Sequence, residues 1–461
     1  MTALCSVLLT LVVGSSPFWL GSNRPLPWAG NAIAIGSVVA MTAIALLVEG
    51  RRYPPVKIGV ILFPLALIAA GLSWALVQTL PLGSLLPEHP AWAVAGEALG
   101  QELTGRISVN PSQTRWALLH WTTAAAVLTG SYFLARRDSN ANILLNGMLL
   151  MMALAAVYGL ARLSFSFDKI LWFDERAGSY LTAGFINRNS AATYFGLGTV
   201  AALGLLLHKA RRILSRSREA SGRDIVHLWT GAFSGSLGLN LVVFVLLFVA
   251  LLVTGSRGGI GFSVVALLVL MLLYSLRQNA DRRRLFTGPG WVLVVFASVV
   301  LITGVLEMSG ARVLGRLMEQ GLASTARFET YQRTLVAIAD YGWLGSGLGT
   351  FQDVFPAYRL EIAAGRQVWD KAHNDYLELI LGLGIPASML VLAGLSGLVW
   401  KAISGFFNRR RDAHFAAIAV ASAVLVALHS LVDFSLQIQA NTLAFALFLG
   451  LGLGQSTSSR T

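Results

Sequence analysis

Long apolar runs alternate with short polar joints along most of this chain. Runs of about 20 mostly apolar residues, the length a helix needs to cross a bilayer, recur twelve times. They fall near 2–20, 28–48, 58–80, 116–135, 142–164, 190–207, 231–253, 259–276, 290–308, 377–400, 413–432 and 441–454. Most joints are short. Three of the odd-numbered joints are longer: 81–115, punctuated by Pro and Gly; 165–189; and 309–376. The last begins with helical periodicity, with Phe328, Tyr331, Leu335 and Ile338 on one face. The glycines Gly342, Gly345, Gly347 and Gly349 then break it. A connection of that length in a compact protein is usually functional. The expectation is an all-α integral membrane protein, one polytopic domain over 1–461, with 309–376 as a partly helical cap over a site.

Composition agrees with that pattern. Apolar residues make up 55% of the chain, charged ones 12%, and the mean hydropathy is +0.67. So few charges cannot cover so much apolar surface in a soluble protein. The first twenty residues lack a basic start and a clear small-x-small cleavage site, so they read as a span and not as a removed signal. The single Cys5 excludes an intramolecular disulfide and a thiolate metal cluster.

The net charge of +13 gains meaning from its position. The even-numbered joints and the tail hold 20 of the 35 Lys and Arg but 6 of the 22 acids, and the other side is nearly neutral. Short basic loops stay in the cytoplasm. Both termini are therefore expected inside, with the odd-numbered loops, including 309–376, facing out. The charge reads as topology and contact with anionic membrane lipid, not as nucleic-acid binding.

Candidate chemistry collects at the outer rim. Arg257 stands in TGSRGG, a tight glycine turn between two apolar runs, where guanidinium and backbone amides suit a phosphate or diphosphate. An arginine reaching lipid headgroups would look the same. Arg327 opens ARFETYQRTL, with Arg333 six residues on, and a Glu329–Arg333 pair on a solvated helix explains that stretch equally. Arg188 lies between Asn187 and Asn189, either of which can cap the next helix. His373 begins His373-Asn374-Asp375-Tyr376 at the mouth of the tenth span. Its imidazole is suited to general-base work, with Asn374 or Asp375 fixing its tautomer. The competing reading is helix capping by Asn374 or Asp375, with Glu378 in the first turn. His429 and Asp433 are four residues apart, which suggests an ordering pair on one helical face or a proton relay. No Asp-x-Asp occurs in the outward loops, and no Walker motif occurs anywhere.

These stretches together resemble the O-antigen ligase and O-antigen polymerase superfamily of bacterial inner-membrane glycosyltransferases. The resemblance rests on FINRNSAA, TGSRGG, RFETYQRTLVAI followed by GWLGSGLGTF, His-Asn separated by nine residues from Gly384, and HSLVDFSLQIQAN. The family's next glycine position is Ala387 here. The resemblance implies a GT-C-like fold of about twelve spans, with a periplasmic loop between the ninth and tenth. It also implies an undecaprenyl-diphosphate-linked glycan as donor, a glycolipid or glycan acceptor, and inverting transfer with neither metal nor cofactor. Carried over by motif, Arg257 and Arg327, with Arg188 added, would hold the diphosphate, and His373 would be the base. Asn374, Asp375, Tyr376, Asn187, Asn189, Tyr331 and Asp433 would support them. Ligase, polymerase and protein-directed transfer all fit. For a polymerase, Arg312, Arg316, Arg359 and Arg366 offer further charge. A small-anion transporter is the alternative of another class. It is disfavoured because the spans are nearly free of charge and the polar groups sit at the rim.

Overall fold

The computed structural model describes residues 1–165, 169–171, 173–176, 180–217, 230–231, 235–280, 321–359, 369–409 and 411–457. In chain order the helices are α1 (Thr2–Ser15), α2 (Pro25–Glu49), α3 (Gly59–Val77), α4 (Ala91–Leu99), α5 (Pro111–Leu134), α6 (Asp138–Ser164) and α7 (Arg188–Ser217). There follow α8 (Ser236–Val253), α9 (Arg257–Ala280), α10 (Gly321–Tyr341), α11 (Phe351–Val354), α12 (Asp375–Leu383), α13 (Ile385–Asn408), α14 (His414–His429) and α15 (Gln439–Ser456). A two-stranded antiparallel hairpin, β1 (Lys169–Ile170) and β2 (Phe173–Arg176), sits in the second long joint. The protein is all-α. Among the described residues seven helices, α2, α3, α6, α7, α8, α9 and α13, are long and apolar enough to cross a membrane, and α1 and α14 are apolar but shorter.

Ten of the twelve expected spans coincide with a single helix, and the ninth, 290–308, lies outside the described residues. The tenth is corrected. Residues 377–400 are not one helix but the end of α12 and most of α13, separated at Gly384. Gly384 has φ +81°, and a Cβ there would stand 2.4 Å from the Trp343 carbonyl. The Ile385 N–H turns to the Gly342 carbonyl at 2.6 Å. The helix breaks because the glycine run 342–349 threads against it. Gln78 Nε2 clamps the crossing by donating to the carbonyls of Leu344 at 2.7 Å and Gly382 at 2.8 Å.

Packing runs from small residues outward. α15 is buried over nearly its whole length. A Cβ on Gly450 would meet the Leu128 carbonyl of α5 at 2.3 Å, and one on Gly452 would meet Ala419 of α14 at 2.3 Å. Such close backbone approach is how helices gain packing where lipid removes the hydrophobic drive. Ala387 does not loosen α13, because its partner is the glycine. A Cβ on Gly71 of α3 would lie 2.7 Å from the Ala387 carbonyl. Around this core, apolar side chains face outward, among them Ile33, Phe63, Leu150, Val242, Leu272 and Met389. That surface suits lipid, not water.

Several arginines of the basic joints are structural. Arg136 is 1% exposed, and its guanidinium donates to the carbonyls of Pro55, Gly454 and Thr457. Arg137 pairs with Glu49 at 2.7 Å. Cations at helix C-termini satisfy otherwise open carbonyls.

The described part of the 309–376 loop builds a cap with its own small core, in which Ala337, Phe351, Val354, Phe355 and Ala372 pack on Leu381 of α12. The buried face of α10 is Thr330, Thr334 and Ala337, not the predicted one; Phe328 and Leu335 are 62% and 54% exposed. Small side chains face α12 because they let α10 lie close enough for Tyr331 to reach His373. The expected Glu329–Arg333 ion pair is not formed among the described residues.

Gly450→Ala is expected to destabilise the fold by about 1–3 kcal/mol, the usual cost of overpacking. The thermal unfolding midpoint in detergent reads this. An unchanged midpoint would show that α5 gives way freely.

Candidate functional site

Residues 372–375 carry the chain from the cap into α12, and each is held differently. Asn374 is the helix N-cap: its Oδ1 accepts from the N–H groups of Tyr376 at 3.0 Å and Leu377 at 3.1 Å. Its Nδ2 donates to the Leu431 carbonyl at 3.0 Å. The Asp375 N–H donates to the Ser430 carbonyl at 2.9 Å, so the start of α12 is tied to the turn after α14. His373, one residue before the cap, has φ +55°. Left-handed backbone is strained for a residue with a Cβ and clusters at functional positions. The Tyr331 hydroxyl holds it by donating to the His373 carbonyl at 2.9 Å. Trp369 and Phe434 approach the imidazole edge-on, with centroids at 5.7 and 4.9 Å.

His373 Nδ1 lies 3.8 Å from Asp433 Oδ1. That distance is an ion-pair separation and exceeds a hydrogen bond, and Nδ1 is buried without a hydrogen-bond partner. Neither Asn374 nor Asp375 orients the ring, contrary to expectation; Asn374 is spent on the cap and Asp375 on the turn. Asp433 takes the place, although it lies beyond the end of α14.

Asp433 is fully buried and anchors a directional network. Burial pushes its carboxyl up, but His373, the charge of His429, Ser435 and Asn189 together outweigh this and hold it below the usual range. Asn189 Nδ2 donates to Oδ1 at 3.1 Å, and Ser435 Oγ donates to Oδ2. Thr193 Oγ1 donates to Ser435 Oγ at 2.9 Å. The same hydroxyl lies 3.2 Å from the Asn189 carbonyl and 2.7 Å from His429 Nδ1, where the histidine tautomer sets which partner donates. His429 Nε2 faces Gly258, 3.3 Å from where a Cβ would stand. His429 and Asp433 are therefore not a direct i, i+4 pair. α14 ends at His429, and the link runs through Thr193 and Ser435. Those two hydroxyls carry no sequence signal, since Ser and Thr are ordinary residues of apolar helices.

The arginines gather around the same point. Gly255, at φ +62°, turns the chain into α9, and Arg257 is the exposed first residue of that helix. Ser256 Oγ accepts from the Gly259 N–H at 3.2 Å and donates to Asn189 Oδ1 at 2.9 Å, joining this turn to the Asp433 network. Arg188 lies over the Tyr180 ring at 4.3 Å, and its terminal nitrogen is 3.9 Å from where a Gly255 Cβ would be. Asn187 Oδ1 accepts from the Asn189 N–H at 2.8 Å and acts at the start of α7. The charge of Arg327, one turn before Tyr331, is felt at Tyr331 and His429. Arg257 and Arg327 form no hydrogen bond or ion pair among the described residues. Arg312, Arg316 and Arg366 lie outside them, and Arg359 has a partner.

Asp375 and Tyr376 turn away from this cluster. Both line a cavity of about 580 Å³ that includes neither His373 nor Asp433 among its walls. Lys371, Gln113, His120 and Glu378 give it polar groups, and Leu392, Leu395, Val399 and Ile403 of α13 give it an apolar wall. The Tyr376 hydroxyl donates to the Ala427 carbonyl at 2.8 Å. Asp375 accepts from Ser430 Oγ at 2.8 Å, the Leu436 N–H at 3.2 Å and Gln437 Nε2 at 3.3 Å.

Burial pushes the Asp375 carboxyl up to about 8, with the Glu378 and Asp433 charges adding to it, against the donors Ser430 and Leu436. A free carboxyl titrates near ~3.9 in the unfolded chain. Because the folded value is raised, the group's contribution to stability is complete in acid and is lost as pH rises through about 8. The unfolding midpoint should therefore fall progressively between about pH 4 and about pH 8, and Asp375→Asn should flatten that fall. An undiminished fall in the variant would put its origin elsewhere.

Comparison with curated proteins and with solved structures gives no match. Residues 242–392, from α8 into α13 and including Arg257, Arg327 and His373, match the family model described as O-antigen ligase. The match supports a relation of this part of the chain to the O-antigen ligase superfamily.

Proposed function

We propose that the protein transfers a glycan from a polyprenyl-diphosphate carrier to an acceptor hydroxyl, at the membrane end that bears His373. The family match supports the coarser part, a glycan-transferring function of ligase or polymerase type in a multi-pass membrane protein. The observation that carries the finer part is the set of groups around His373. A strained imidazole stands beside a buried carboxylate, Arg257 follows the Ser256 that is bonded into the same network, and the charge of Arg327 acts on Tyr331 and His429.

With Nδ1 turned to Asp433, Nε2 is the nitrogen left for the acceptor. The acceptor oxygen attacks the anomeric carbon and forms the new glycosidic bond. Its proton passes to His373 Nε2, and Asp433 stabilises the imidazolium. The bond from the anomeric carbon to the diphosphate oxygen breaks, and the electron pair leaves with the diphosphate. Attack from the opposite face inverts the centre. Arg257 and Arg327 take the charge that develops, which preorganised guanidiniums do without reorganisation. Arg188, stacked on Tyr180, extends this positive rim. His429 Nε2, held by the Thr193 chain, faces the same turn and acts as a positioning partner. The side cavity, apolar along α13 and polar near Lys371, suits the chain of one lipid-linked substrate. The loop charges support a bacterial inner-membrane placement with this end in the periplasm and both termini in the cytoplasm.

His373→Ala is expected to lower kcat by about 10²–10⁴. Arg257→Lys should lose most of the activity too, because a point charge does not replace bidentate contact. Purified protein, an undecaprenyl-diphosphate glycan and lipid A–core with EDTA present give the assay. Lengthening of the lipid-linked glycan would assign a polymerase. Unchanged turnover in His373→Ala would sink the reading of His373 as base.

Asp433→Asn should lower kcat with little change in donor KM, since it disturbs the ring's charge balance and not donor contacts. Equal loss from altered binding would make Asp433 merely structural.

A further inference from the structure

The far ends of α7 and α14 bring together a second group of chemically capable side chains. His208 lies twenty residues along α7 from Arg188, about 30 Å at helical rise. His414 begins α14, whose last residue is His429, about 22 Å away by the same rise. The group is therefore separate from the His373 site and independent of the role given to that site.

His208 Nε2 is 3.8 Å from Asp412 Oδ1, and the rings of His208 and His414 stack with centroids 3.8 Å apart. One ligand atom from each of His208, Asp412 and His414 falls within 4.8 Å of the others. His414 is 3% exposed, and both of its ring nitrogens are buried without a hydrogen-bond partner. A neutral imidazole carries one donor and one acceptor, and leaving both unmet in a packed interior is costly. Asp412 has φ +54°, a strained backbone for a residue with a Cβ, and that conformation puts its carboxylate beside the imidazoles.

We propose that His208, Asp412 and His414 form a binding site for a divalent transition metal, of which Zn²⁺ is the representative. Two imidazoles and one carboxylate suit such an ion and do not suit Mg²⁺ or Ca²⁺, which take oxygen ligands. The ion would satisfy a nitrogen of His414 that the protein leaves open. Bonds of about 2.0–2.2 Å require the three ligand atoms to draw closer than they stand. Side-chain rotation of His208 and Asp412, which are 20% and 29% exposed, supplies this. Two of the nearby cations are turned elsewhere, while Arg211 and Arg212 also bring positive charge to the group. Lys209 Nζ is turned to the Ser236 carbonyl, and Arg409 to the carbonyls of Arg411 and Thr457. Water completes the shell. The ion would clasp the end of α7 to the entry of α14, the two helices that carry Thr193 and His429.

The test uses full-length protein without a histidine tag, stripped with chelator, gel-filtered and titrated with Zn²⁺ by calorimetry. Co²⁺ reports coordination by its visible absorption. The expected result is one ion per chain, a raised unfolding midpoint and the intense spectrum of four-coordinate Co²⁺. His208→Gln and Asp412→Asn, at partly exposed positions that tolerate substitution, should each weaken binding at least tenfold. His89→Gln, far from the cluster, should leave it unchanged. Absence of stoichiometric binding in the wild type overturns the proposal. So does binding that survives in both cluster variants with unaltered affinity.

Discussion

Everything near the site hangs on the burial of α15. That helix has no face for lipid or water, so its neighbours must meet it backbone to backbone, and Gly450 and Gly452 make this possible. Once α15 is fixed between α5 and α14, the short turn 430–438 that leads into it has little freedom. His120 of α5 contacts the Leu436 carbonyl at 3.0 Å, and Asp375 takes donors from Ser430, Leu436 and Gln437. The turn thus becomes a rigid shelf, and Asp433 and Ser435 stand on it.

That shelf explains why a buried carboxylate is tolerated. An isolated charge in such a place would neutralise itself. Asp433 instead has Asn189 and Ser435 as donors and two imidazoles near it, drawn from α7, α14 and the approach to α12. The same carboxylate links the Arg257 turn, through Asn189 and Ser256, to His373. Rigid elements fix a site more closely than free loops do. Here even the loop residues are clamped, His373 by Tyr331 and Asn374 by Leu431.

The basic joints serve twice. Their arginines read as topology signals, and Arg136 and Arg409 also close the C-terminal end of α15 by donating to the carbonyls of Gly454 and Thr457. One residue can therefore set orientation during insertion and hold a helix end afterwards. Charge counting along the chain sees only the first role.

The sequence by itself determined the helices and their order, because a run of about 20 apolar residues has one low-energy form in lipid. It also offered Asn374 or Asp375 as the cap of α12, and the structure settles on Asn374, whose partners are two and three residues away. It pointed to His373, Arg257 and Arg327 through local motifs. Only the tertiary structure decided the break at Gly384, the buried face of α10 and the partner of His373. Each depends on what packs against the segment from far along the chain: the glycine run 342–349, helix α12 and the turn holding Asp433. Thr193 and Ser435 stayed invisible for the same reason, since a hydroxyl in an apolar helix or in a turn shows its role only once its partner is in place.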